Sequence, residues 1–254
     1  MFMQELSPLS QGSGIEKSHT FPEPPEDGIS HGGARNLFRN SAEAFGVHLS
    51  PQEDYDWLVI IGASMLVDHL VDVEKSNLEE SFDAIAKGHV REDLNNDVQV
   101  RTINYLVRQS EEKKFKIARQ LSKVSLLTEE QRNATKARSV VAVRIAESGI
   151  FSSLLHLEHN NTDDNEAREK FNGWVDTWSR FGYLLDSFVD IREDFDQGSS
   201  QVAPTILNRL VYAKAALKEG AELFTRTPKK IVGKMALVGL RYIFLRKKIQ
   251  VETN

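Results

Sequence analysis

Within Gly182 to Gly198, GYLLDSFVDIREDFDQG, three aspartates stand four residues apart: Asp186, Asp190 and Asp194. On a helix, at roughly 100° and 1.5 Å per residue, that spacing stacks three carboxylates down one face over about 12 Å. Each like-charged pair costs roughly 0.2–0.5 kcal/mol on an exposed helix, and more where water is excluded. A cation is the natural partner. Magnesium suits such a ladder, because it takes oxygen ligands, keeps several waters and bridges one or two carboxylates to phosphates. The competing reading is an amphipathic helix with a wet acidic face, since Phe181, Leu184, Leu185, Phe188, Ile191 and Phe195 fill the opposite arc. Against it, the acidic half carries no lysine and is interleaved with Trp178, Ser179, Gly182, Tyr183 and Val189.

The rest of the chain agrees with a helical setting. Residues 1–33 are rich in proline, glycine and serine and lack apolar periodicity, which reads as a disordered N-terminal tail. From Ala34 to Asn254 the pattern is helical almost throughout, so the expected fold is all-α, a single-domain helical bundle. Expected helices lie near 34–46, 53–73, 77–88, 97–122, 128–158, 164–197, 204–224 and 228–248. Ser76 with Glu79, Thr128 with Gln131 and Asp163 with Glu166 have capping-box spacing, and Thr227 precedes Pro228 as a helix start. No hairpin signal falls between alternating runs.

A second acidic pair sits in Trp57 to Val73, WLVIIGASMLVDHLVDV, a segment apolar around nearly its whole cylinder and therefore a helix buried on most sides. Asp68 and Asp72 fall in line with Trp57, Ile61, Ser64 and Met65. Carboxylates there are costly unless paired or metal-bound. The alternative is a helix that leaves the core near Asp68, with the sequence DHLVD as a solvated end.

One aspartate pair on a buried helix, followed more than a hundred residues later by an aspartate ladder, resembles the class I isoprenoid synthase fold. The likeness is to the squalene/phytoene synthase-like branch, where the first motif is Asp-x-x-x-Asp, as in Asp68 to Asp72, and the second ends Asp-x-x-Glu-Asp, as in Asp190 to Asp194. The phrase LLDSFVDIRED (184–194) is most similar to bacterial tetraprenyl-curcumene synthase-type cyclases. The resemblance spans about residues 50–200. It implies magnesium, more than one ion, held by Asp68, Asp72, Asp186, Asp190 and Asp194 with Glu193 as an outer ligand, around a prenyl diphosphate substrate. It implies a terpene synthase, a lyase of isoprenoid biosynthesis that expels diphosphate and forms a terpene through carbocations. Arg180 and Arg192 would share the leaving group's charge, while Trp57, Phe151, Trp178 and Tyr183 would wall the cation. The absence of DDxxD argues against chain elongation, and Val189 replaces the arginine that squalene and phytoene synthases carry. Head-to-head coupling and a non-catalytic helical scaffold are the alternatives.

Composition narrows the setting. A net charge of −5 argues against a nucleic-acid partner, and the absence of cysteine excludes disulfides and thiol chemistry. No apolar run reaches the length of a membrane span, and no secretory signal opens the chain, so a cytoplasmic location is expected. On the helix expected at 128–158, Arg138, Ala142, Ile145, Gly149, Ser152 and His156 share a face of mostly small side chains; it either packs closely or lines a cavity. Residues 226–248 carry seven lysines and arginines after Arg226 and no acid, which fits peripheral membrane contact, a diphosphate contact or a solvated face.

Overall fold

The computed structural model describes residues 29–57, 60–61, 111–159 and 163–233. Among these residues the regular structure is α-helix throughout, with no strand. The helices are α1 (Ile29–Phe45), α2 (51–57, continuing at 60–61), α3 (Glu111–Asn133), α4 (Ala137–Leu155), α5 (Asn165–Asp196) and α6 (Ile206–Arg226), followed by a short helical stretch at 229–233. The helices expected at 77–88 and over 97–110, and the Ser76 and Glu79 box, lie outside the described residues. So do residues 1–28 of the expected tail, 58–59 and all of 62–73, and 234–248 of the expected last helix and basic segment.

Helix α5 organises the molecule. It spans 32 residues, about 48 Å, and packs against α1, α4 and α6, while α4 also touches α3 and α6. Its apolar residues recur at Phe171, Trp174, Trp178 and Phe181, one helical side, and join a ring-to-ring chain. Phe171 stacks on Trp174 at 5.6 Å between centroids and Trp174 on Trp178 at 5.9 Å. Phe38 of α1 meets Trp174 edge-on, and Trp57 of α2 meets Phe171. Rings in these offset and tilted poses add roughly 0.5–1.5 kcal/mol per pair beyond burial. A second, smaller core gathers Ala137, Val140, Ile191, Val202 and Tyr212 at the other end of α5.

The helix ends show which start and stop signals were used. Helix α1 begins at Ile29, inside the segment expected to be a tail, and stops at Gly46. There φ is +86°, and Val47 N–H donates to Ala42 O while Gly46 N–H donates to Glu43 O, the paired bonds of a Schellman close. Ser50 and Glu53 form a reciprocal capping box at the start of α2, with Ser50 N–H to Glu53 Oε2 at 2.8 Å and Glu53 N–H to Ser50 Oγ at 3.2 Å.

The break expected between 122 and 128 falls instead at 134–136. Thr128 is inside α3, where its hydroxyl lies 3.0 Å from Val124 O and 3.3 Å from Glu147 Oε1, so its capping-box spacing with Gln131 is incidental. The box expected at Asp163 and Glu166 does not form: Asp164 stands at the N-cap of α5 and makes no side-chain cap bond, its carboxylate accepting instead from Arg168 and His48 N–H. Thr227 donates to Leu223 O, closing α6, and accepts from the Trp174 indole.

Candidate active site

The face of α5 turned toward α4 and α6 is a polar stripe inside the bundle. It begins at Asp176, whose Oδ1 accepts from Ser152 Oγ at 2.6 Å and lies 2.8 Å from His156 Nε2, both residues coming from the end of α4. Burial pushes the Asp176 carboxyl up, but these two bonds and the nearby Arg180 charge outweigh it and hold it below the ordinary value. One turn on, Arg180 donates to Glu219 of α6 at 2.7 Å and to Thr177 at 3.2 Å, with Glu222 3.7 Å away.

Further along, α4 contributes Arg144. Its Nε donates to Ser187 at 3.0 Å, Nη1 to the buried Glu147 at 3.1 Å, and Nη2 lies 3.8 Å from Asp186. The guanidinium also sits 5.7 Å from the Tyr183 ring centre, within cation–π range. Burial alone would lower its pKa; the charges of Glu147 and Asp186 reverse that and raise it further. Tyr212 of α6 completes this end. Burial raises its phenol to about 12, with Arg144 pulling down and Asp194 pushing up.

The aspartate ladder therefore does not lie on a uniformly wet face. Asp190 is 7 % exposed, Asp186 is about one-third exposed, and Asp194 is half-buried. Among the described residues no group of three or more His, Cys, Asp or Glu converges as a metal cage. One helical turn, about 6 Å along the axis, separates each aspartate from the next. That arrangement suits an ion taking one or two carboxylates and completing its shell with water and phosphate, and not a protein-only cage.

The other expected residues divide by surroundings. Asp68 and Asp72 lie outside the described residues. Tyr183 and Phe151 are half-buried beside the stripe, their rings 6.3 Å apart. Trp57 is a core residue whose indole N–H donates to Leu155 O at 2.9 Å, and Trp178 continues the aromatic stack. Arg180 is committed to its α6 partners. Arg192 is on the surface, 79 % exposed and 3.7 Å from Asp196, and exposed Glu193 accepts from Gln197. On α4, Arg138, Ala142, Ile145 and Gly149 are exposed, while Ser152 and His156 turn inward.

Arg144 was not among the expected residues. The available signal was a lone arginine in the apolar run VVAVRIA with an acid three residues on, the i,i+3 mark of an inward ion pair. A separate cleft of about 360 Å³ opens beside His156, lined by Trp57, Ile60, Ile117 and Leu154 with Glu53, Asp56, Glu158 and Lys116 around them. About 21 Å of helix separates Asp176, on that side, from Asp190. Compared with protein families, curated proteins and solved structures, the chain matches none.

Proposed function

We propose that the chain is a magnesium-dependent terpene synthase that ionises a linear prenyl diphosphate. The observation that carries this reading is the burial of Asp190 in the middle of the ladder. An acidic face that is merely solvated gives no reason to enclose its central carboxylate, whereas a diphosphate site requires acids at the edge of a dry interior. The order and spacing of the two acidic motifs, Asp68 with Asp72 and then Asp186, Asp190 and Asp194, support the same chemistry.

In this reading the ladder holds magnesium, which when bound supplies Lewis-acid assistance to the departing diphosphate. The chain's own side chains do the positioning. Arg144 fixes Asp186 by charge, and Ser187 and Glu147 fix Arg144. Phe151 and Tyr183 offer π-faces to a cation, and Tyr183 already receives one from Arg144. Arg192, Trp57 and Trp178 take structural or surface roles, and Arg180 braces α5 on α6.

A second reading has one observation in its favour: Arg144 already neutralises part of the ladder, as an internal ion pair of a non-catalytic bundle would. Incubation of the purified chain with a series of linear prenyl diphosphates and magnesium separates the two. The synthase releases diphosphate with a hydrocarbon product, and Asp190→Asn lowers the rate on the order of a hundredfold, about 2.7 kcal/mol and so part of the several kcal/mol that a metal ion supplies. Magnesium with pyrophosphate raises the wild-type Tm by roughly 5–11 °C at a hundredfold excess over Kd. No turnover, with no ligand-dependent Tm shift in either protein, establishes the scaffold.

A further inference from the structure

The outward face of α6 carries an apolar stripe that the bundle does not cover. Ile206, Leu207, Leu210, Leu217 and Phe224 are each between 58 and 79 % exposed. At 100° per residue, Ile206, Leu210, Leu217 and Phe224 fall within about 40° of one another, a line about 27 Å long. Large apolar side chains scattered singly on a surface are ordinary; a continuous row along a helix marks an interaction face.

Charge identifies what the row faces. Helix α6 holds two acids, and both turn inward: Glu219 is buried against Arg180, and half-buried Glu222 pairs with Arg226 at 2.9 Å and Arg180 at 3.7 Å. The exposed charged residues of α6 nearest the stripe are Lys214 and Lys218, while Arg226 lies on the opposite side of the helix with Glu222; Lys229 and Lys230 follow α6 and are exposed as well. On a chain of net charge −5, the exposed charged residues of α6 and of 229–233 are all basic. Pairing the stripe with the same stripe of a second copy brings cation beside cation. An anionic bilayer satisfies both features, apolar side chains entering the acyl boundary and lysines meeting headgroups.

We propose that this face of α6 docks the protein on an anionic lipid surface, with the helix lying in the plane of the interface. Among the described residues no helix is long and apolar enough to cross a membrane. The inference is independent of the prenyl diphosphate reading.

The test is co-sedimentation of the full chain with phosphatidylcholine vesicles, with and without phosphatidylglycerol. Wild type partitions onto the mixed vesicles and is released by high salt. Leu210→Glu with Leu217→Glu, both at exposed positions and checked for unchanged circular dichroism and Tm, lowers partitioning at least tenfold. Lys214→Glu with Lys218→Glu lowers it by a similar factor, since each basic residue at an anionic surface contributes about fivefold. Asp190→Asn binds vesicles like wild type. Absence of wild-type binding, or binding unmoved by the paired leucine substitutions, overturns the proposal. So does light scattering that shows a dimer which those substitutions dissociate, with no lipid binding, since the stripe then belongs to a second copy.

Discussion

Replacing Arg168 by methionine leaves Glu53 and Asp164 facing each other with the cation between them gone. Arg168 is 2 % exposed; it donates to both carboxylates and to the carbonyls of His48 and Glu158. It thereby ties the loop after α1, the start of α2 and the loop before α5 to one point. Burial pushes the Glu53 carboxyl up, but the bonds from Arg168 and Ser50 prevail and hold it low. Removing one partner of a fully buried pair costs roughly 3–5 kcal/mol, and Glu53 is 24 % exposed, so the low end applies. For a chain of this length, about 3 kcal/mol corresponds to a Tm loss of about 6–12 °C. Thermal denaturation of Arg168→Met should show that loss, and a change under 2 °C, roughly the effect of 1 kcal/mol, would mean that the network is dispensable. Glu53 was legible as a box partner of Ser50 but was not singled out; its second role, across a sequence separation of 115 residues, has no local signature.

At the level of elements, α5 was readable almost to the residue because its signals are local: an acidic N-terminal turn and, after Asp196, Gly198 at φ +73°. The α3 to α4 break was not, since 134–136 holds no glycine or proline and Lys136, at the N-cap of α4, makes no side-chain cap bond. What brings α5 against α6 was equally hidden. A Cβ added to Gly220 falls 3.0 Å from Phe181 Cε2 and 3.3 Å from Cδ2, closer than van der Waals contact permits. Alanine in a helix interior gains about 0.8–1 kcal/mol over glycine, while overpacking costs roughly 1–3 kcal/mol. Gly220→Ala should therefore lower stability in the wild type and raise it, by up to about 1 kcal/mol, in a Phe181→Leu background. Urea titration of the four proteins measures the reversal. Equal effects in both backgrounds would show that the ring is not what requires the glycine.

At the scale of the whole fold, three of the described titratable groups, Glu53, Asp176 and Tyr212, set two edges of a stability window. Glu53 and Asp176 have folded values depressed below the ordinary 4.5 and 3.8, so the unfolded chain binds protons first as the pH falls. Their stabilisation is complete above those ordinary values and is lost as the pH drops through the lowered ones. Tyr212 sets the opposite edge. Its phenol is raised from 10.0 to about 12, so the unfolded chain ionises first, and the contribution present below 10 is lost as the pH rises toward 12. The size is about 2–3 kcal/mol, from two units at 1.36 kcal/mol each. Tyr212 is 2 % exposed, against the Arg144 end of the stripe, so this edge reports directly on the enclosed site. Stability of the wild type should fall between pH 10 and 12 more steeply than that of Tyr212→Phe, which lacks the ionisable group while keeping the ring. Lysine titration acts on both proteins alike and cancels in the difference. Parallel curves for the two across that interval would mean that the phenol ionises as freely in the fold as out of it, and that the end of the bundle where the ladder lies is open to water.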